Sequence, residues 1–310
     1  MSNSNISPRR PALAVILSAM LPGLGQIYNG ELNKGVFLFL AFAFVTTPLV
    51  AFVALMLPLA WLMPGLAASL LATLALYLYG LWDAWRTARH TGDFQPRSWQ
   101  QPAIYVALLL FAYLSVIGAG TRYVREHLVE SFRIPSDSMA PNVLRGDFLF
   151  ADKRVNCPGC KDRVRRGDIA IFVYPNDRTL RYIKRIIGLP GDEIRIQGRE
   201  LFVNGKSVRI RGPEQPPTQD GETPDRIVER GDVGDYDLIW PAQETPLELS
   251  VQVPPGEVFV LGDNRGTTVD SRDFGTVPLV DVIGRAQQVW FSYSPESGVR
   301  WSRWGETLAP

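Results

Sequence analysis

No charged side chain occurs from residue 35 to residue 82, a run of 48 positions, whereas a bilayer-crossing helix needs about 20. Pro58, Pro64 and Gly65 sit inside the run, and such clusters mark turns. The pattern therefore predicts two spans, 36–57 and 66–82. A third, 103–121, is apolar throughout and closes at Arg122. Upstream, Pro8-Arg9-Arg10 followed by apolar residues 12–21 has the basic head and short hydrophobic stretch of a signal peptide. More hydrophobic spans follow and no small-x-small site appears, so the segment is read as retained. Pro22-Gly23-Leu24-Gly25 interrupts it, predicting a re-entrant or interfacial helix in an N-terminal segment, 1–34, ahead of a membrane region, 35–121, with about three transmembrane helices.

Beyond the last span the period changes. Residues 147–151, 169–174, 181–187, 193–196, 200–203 and 258–262 are short apolar or alternating runs bounded by Gly, Pro, Asn or Asp, the mark of strands. Asn204-Gly205 predicts a hairpin turn with 207–210 as the returning strand. Residues 211–250, rich in Pro, Gly, Asp and Glu, read as an insertion in a β-rich domain, 122–310.

Composition sharpens this division. Residues 1–120 hold nine Asp, Glu, Lys or Arg side chains and residues 121–310 hold fifty-four. A length of 310 residues suggests two domains, and a net charge of +1 argues against nucleic acid as a partner. High apolar content excludes a disordered chain, and two cysteines exclude a disulfide-rich scaffold. In the loop 83–101, Arg86, Arg89 and Arg97 outnumber Asp83 and Asp93. By the positive-inside rule that loop is cytoplasmic, as are Arg9 and Arg10, and the third span delivers the β-domain to the far side. Arg122 and Arg125 weakly oppose this orientation.

Candidate chemistry is sparse. His90 and His127 are the only histidines, and neither adjoins the turn-rich motifs of the β-domain. Cys157-Pro-Gly-Cys160 supplies half a zinc set, so no metal is expected and a small loop disulfide is the favoured reading. Five lysines stand against 27 arginines. Period-2 alternation puts Lys184 on one strand face with Tyr182 and Ile186. Buried, its amine would lose its charge readily and act as a base; on an edge strand it would snorkel to water. Ser136 and Ser138, two apart between Pro135 and Pro141, point the same way if extended. One could attack a carbonyl while the other donates to the oxyanion. The same residues also suit a polar turn.

The box Ile134-Pro135-Ser136-Asp137-Ser138-Met139-Ala140-Pro141 resembles the nucleophile motif of type I signal peptidases, of peptidase family S26. Arg181 to Asp192 resembles their lysine motif, Gly262 to Gly275 their third motif, and Arg166-Gly167-Asp168-Ile169 is a further match. The resemblance covers roughly residues 125–295. It implies N-terminal α-helical transmembrane segments followed by a mainly antiparallel β catalytic domain. It also implies Ser138 as nucleophile, Lys184 as general base, and Ser136 with the Ser138 N–H as oxyanion hole. Thr268 stands where the family often has serine, its hydroxyl orienting the lysine amine. Asp270 and Arg272 would form a supporting ion pair that positions rather than reacts, and Asn264 is read as a turn residue. Phe132, Ile134, Pro135, Met139, Val143, Tyr182 and Ile183 would line the substrate pocket.

The implied reaction is cofactor-free cleavage of exported preproteins with small residues at −1 and −3. The implied setting is the bacterial inner membrane, multi-pass, with the catalytic domain periplasmic, in contact with membrane lipid and near the protein-export machinery. A processing peptidase of one secretion or conjugation system is the alternative within this chemistry. A self-cleaving repressor would lack these spans. The stretch from Leu21 to Gly30 resembles a membrane-hairpin module and leaves a non-enzymatic scaffold open for residues 1–120.

Overall fold

The computed structural model describes residues 7–56, 59–95, 97, 100–155, 163–211, 225–240 and 247–308. The chain divides into two compact units, Met1–Glu126 and His127–Pro310.

The first unit is helical. A two-residue strand β1 (Ser7–Pro8) precedes α1 (Pro11–Met20), α2 (Leu24–Tyr28), α3 (Leu32–Thr46), α4 (Pro48–Met56) and α5 (Leu59–His90). Then come β2 (Asp93–Phe94), which pairs with β1, α6 (Pro102–Phe111), a π-helical stretch (Ala112–Ile117) and α7 (Gly118–His127). Among the described residues three stretches are long and apolar enough to cross a membrane: Leu32–Val53, Pro64–His90 and Pro102–His127. Of the expected break at 58–65, Pro58 lies outside the described residues, and the part from Leu59 onward is helical. Helix α5 already runs from Leu59 and passes through Pro64, as apolar helices do when the freed backbone groups are satisfied nearby.

The loop expected at 83–101 also begins later, because α5 continues to His90. Asp83 is buried on that helix, accepting hydrogen bonds from Gln26 Nε2 at 3.1 Å and Lys34 Nζ at 2.5 Å. The Pro22-Gly23 interruption is a packing device as well as a break. Gly23 has φ +97°, and a Cβ there would lie 2.0 Å from the Gly35 carbonyl oxygen. Only glycine permits that approach of α2 to α3.

The second unit is antiparallel β. Its strands are β3 (Val129–Arg133), β4 (Asp147–Asp152), β5 (Ile169–Val173), β6 (Arg181–Gly188), β7 (Glu193–Gln197), β8 (Glu200–Val203), β9 (Lys206–Ser207) and β10 (Arg209–Arg211). They continue as β11 (Asp225–Gly231), β12 (Gly234–Trp240), β13 (Glu248–Gln252), β14 (Glu257–Leu261), β15 (Val277–Pro278), β16 (Val282–Ser294) and β17 (Gly298–Val299). The main sheet has the order β15-β14-β6-β5-β16-β4-β3, with β17 on β16. A second sheet is β13-β7-β8-β9, and a third is β10-β11-β12. All these pairings are antiparallel. Short helix α8 (Ser271–Phe274) follows β14.

The Asn204-Gly205 turn forms with positive φ at both residues. Its returning strand is split: β9 pairs with β8, while β10 turns away to β11. The expected insertion 211–250 carries more order than its composition suggests. It contributes the β11–β12 hairpin, and it overlaps β13, which hydrogen-bonds to β7. Alternation on β6 sorts the core. Tyr182 and Ile186 pack with Phe172, Val258 and Val260, whereas Ile183 packs with Ile134, Met139, Val143 and Leu149.

Candidate active site

Ser138 lies in a bend after β3 rather than in extended chain. The bend is pinned at both ends: Ile134 N–H donates to the Asp147 carbonyl at 2.8 Å, and Val143 N–H to that of Met139 at 2.9 Å. Asn264 secures it from the third motif. Its N–H donates to the Ser138 carbonyl at 3.1 Å and its Nδ2 to the Asp137 carbonyl at 3.3 Å. Asn264, expected as a turn residue, thus ties two motifs together. Although the stretch is bent, Ser136 and Ser138 face each other, with Oγ–Oγ 3.3 Å.

Lys184 comes from β6, in register with Ala170 of β5. Its Nζ is 3.1 Å from Ser138 Oγ and 3.0 Å from the Ile183 carbonyl oxygen, and 5.4 Å from the Tyr182 ring centre. Lys184 is 4% exposed, which decides between the two sequence readings: the side chain does not snorkel. Burial pushes its pKa down to about 8, against the opposing pull of Asp270 and Asp263. The amine can therefore be neutral near ordinary pH.

Thr268 departs from expectation. Its hydroxyl is buried and has no hydrogen-bond partner among the described residues. The Lys184 amine is instead engaged with Ser138 and its own strand. Thr268 nevertheless stands at the site, since a Cβ on Gly262 would meet both Thr268 Oγ1 at 2.5 Å and the Ser138 carbonyl oxygen at 2.7 Å. Asp270 and Arg272 do pair, Nε to Oδ1 at 2.9 Å. Asp270 is wholly buried, caps α8 through the Arg272 N–H, and accepts the Gly262 N–H at 3.0 Å.

Beneath the site run two ion pairs that motif reading passed over. Arg185, adjacent to Lys184 on the opposite strand face, donates to Asp263 through Nε at 2.7 Å and Nη2 at 2.6 Å. Asn142 Nδ2 adds a bond to the same carboxylate at 2.7 Å. Arg265 pairs with Glu229 at 2.6 Å, and Tyr236 donates to Glu229 at 3.1 Å. Asp263 and Arg265 flank Asn264 in the Gly-Asp-Asn-Arg run that opens the third motif, so their position was visible even though their partners were not.

The seven expected pocket residues do not line one depression. Ile134, Met139, Val143 and Ile183 form one buried cluster with Phe132 against it. Tyr182 belongs to the opposite face, stacked on Tyr174 at 4.3 Å. Met139 and Val143 have no exposed surface and so can only support a wall. Pro135 is exposed, and with Ile134 it borders a cavity of about 580 Å³ shared with Arg133, Arg145, Tyr293 and Arg300. Cys157 and Cys160 lie outside the described residues. Among the described residues no cluster of three or more His, Cys, Asp or Glu is arranged to hold a metal ion.

A buried amine on a serine hydroxyl, on an antiparallel β-domain that follows apolar helices, fits a membrane-associated hydrolase. The family profile for signal peptidase, peptidase S26, matches residues 103–291. The chain belongs to that family and is a peptidase. Among its relatives, signal peptidase I of Pseudomonas fluorescens is 34% identical over 198 residues, 55% of this chain and 67% of that one. Signal peptidase I of Buchnera aphidicola subsp. Acyrthosiphon pisum is 30% identical over 240 residues, 59% of this chain and 76% of that one. A crystal structure of a signal peptidase I from Enterococcus faecalis covers 40% of this chain and 97% of its own at 28% identity, with a TM-score of 0.27.

Proposed function

We propose that this chain is a serine endopeptidase, a signal peptidase I, that removes N-terminal signal peptides from exported preproteins. The observation that carries the reading is the 3.1 Å contact between Lys184 Nζ and Ser138 Oγ, made by an amine whose pKa is lowered to about 8. Neutral Lys184 accepts the Ser138 proton as Oγ attacks the scissile carbonyl. The resulting ammonium returns that proton to the leaving amine. Water then attacks the acyl-enzyme, giving a proton to Lys184, and Ser138 recovers it as the ester breaks. Ser136 Oγ, 3.3 Å from Ser138 Oγ, is in reach of an oxygen developing charge there, together with the Ser138 N–H.

Small residues at −1 and −3 suit this reading, because the walls near Ser138 are closely packed by Ile134, Met139 and Ile183. In the proposed topology residues 1–34 do not cross, 35–121 supply the spans, and 122–310 form the extracytoplasmic domain of an inner-membrane, multi-pass protein. Membrane lipid surrounds the spans and the export machinery is nearby. The test is cleavage of a purified preprotein by the full chain. Cleavage after a small-x-small sequence by wild type, absent in Ser138→Ala, is expected. Equal cleavage by both would remove the proposal.

A further inference from the structure

A cavity of about 460 Å³ lies within the helical unit, lined by Arg9, Leu17, Tyr28, Gln100, Tyr105 and Leu109 among others. That volume is typical of small-molecule sites. One side is a stripe on α1 (Leu13, Leu17, Met20) and the other a stripe on α6 (Pro102, Tyr105, Val106, Leu109). Each stripe repeats at three- and four-residue spacing, so each is a single helix face. The groove between them runs for about 10 Å at 1.5 Å per residue. Polar groups are confined to one end, where Arg9, Tyr28, Gln100 and Tyr105 gather.

Arg9 is the unusual member. Its guanidinium carbon lies 4.3 Å from the Tyr28 ring centre and 3.8 Å from that of Phe94. Those contacts cover the faces of the cation but not its in-plane N–H groups. Nε and Nη2 are buried and have no hydrogen-bond partner among the described residues, and the same holds for the Tyr105 hydroxyl. A buried charge left without a partner is costly, and a guanidinium edge matches two oxygens of a phosphate. Among the described residues no carboxylate lines the cavity, so the cationic part of a zwitterionic headgroup would find no counter-charge from them.

We propose that this cavity binds an anionic phospholipid. Its phosphodiester lies on the Arg9 edge and the Tyr105 hydroxyl, and one acyl chain lies in the groove between α1 and α6. Basic pockets between membrane helices recognise anionic headgroups in this way. The exposed faces of Leu13, Met20 and Val106 leave the groove open along its length to the surrounding bilayer.

The test uses the full chain in a neutral detergent, with phosphatidylglycerol, phosphatidylcholine or inorganic phosphate added. Retained lipid is read by native mass spectrometry and stability by the melting midpoint. Phosphatidylglycerol alone should be retained and should raise the midpoint. Arg9→Gln should abolish both effects, and Leu17→Trp, which fills the groove while keeping the cation, should do the same; Arg9→Lys should restore retention in part. Undiminished phosphatidylglycerol on both Arg9→Gln and Leu17→Trp overturns the site. Equal retention of phosphatidylcholine overturns the headgroup assignment. A midpoint shift reproduced by inorganic phosphate assigns the pocket to a free anion and overturns the lipid.

Discussion

Lys184 and Arg185 are sequence neighbours with opposite electrostatic fates. The first is a buried amine brought down to about 8, and the second a buried guanidinium kept charged by Asp263. β6 turns them to opposite faces of the sheet, one toward Ser138 and the other toward the third motif.

If Lys184 is the base, Ser138→Ala and Lys184→Met each lower kcat/KM by about 10³-fold or more, since groups that act as a unit fail together. Replacing both His90 and His127 leaves the rate within a few-fold of wild type. Preprotein cleavage with purified, folded variants checks this, and a large loss in the double histidine variant would restore a histidine mechanism.

Activity should fall about tenfold per pH unit below the Lys184 pKa of about 8, because only the neutral amine accepts the proton. Stability follows the same shift. A lysine whose folded pKa is lowered leaves the unfolded chain holding more protons between about 8 and 10.5, so wild type gains stability as pH rises through that window. Lys184→Met lacks this gain. Parallel melting curves at pH 7 and pH 10 measure the difference.

Thr268→Val should separate stability from activity. The hydroxyl is buried without a partner, so removing it loses no bond and relieves a desolvated group, typically about 1–3 kcal/mol. If the hydroxyl takes up the amine when Lys184 moves during the cycle, the same substitution slows cleavage roughly 30- to 1000-fold. Thr268→Ser should stay close to wild type. An unchanged rate in Thr268→Val would leave Thr268 a packing residue.

Asp263→Ala strands the fully buried Arg185 cation. Breaking one side of such a pair costs about 3–5 kcal/mol, read as a lower thermal midpoint of the full chain. Replacing both partners, Arg185→Met with Asp263→Ala, should recover much of the loss. A double variant no better than the single one would show that the pair does not act as a unit.

The site was legible because its parts are local: two serines between prolines, a lysine in an alternating strand, and a Gly-Asp-Asn-Arg turn. What pairs with what was not, because Asn264 with Ser138 and Arg265 with Glu229 are long-range contacts. The longest strand, β16, escaped the period-2 reading for a physical reason. Its pairing with β4 shifts register between Ala286 and Gln288 and again between Val289 and Phe291, and Gly284, Gln288, Ser292 and Ser294 fill buried positions, so hydropathy does not alternate along it. Helix α5 concealed its start because Pro64 reads as a breaker in water but is carried within an apolar helix. Tyr182 and Ile183, both expected in the pocket, are neighbours on a strand and so pack in different clusters.

The order Lys184-Arg185 on β6 also ties the proposed site to one strand register. Slipping the strand by one position would exchange the two side chains across the sheet. The serine would then meet a group that cannot give up its proton at any physiological pH. In the proposed mechanism a copy with that slip would be inert toward its neighbours, so cleavage itself would report correct strand alignment.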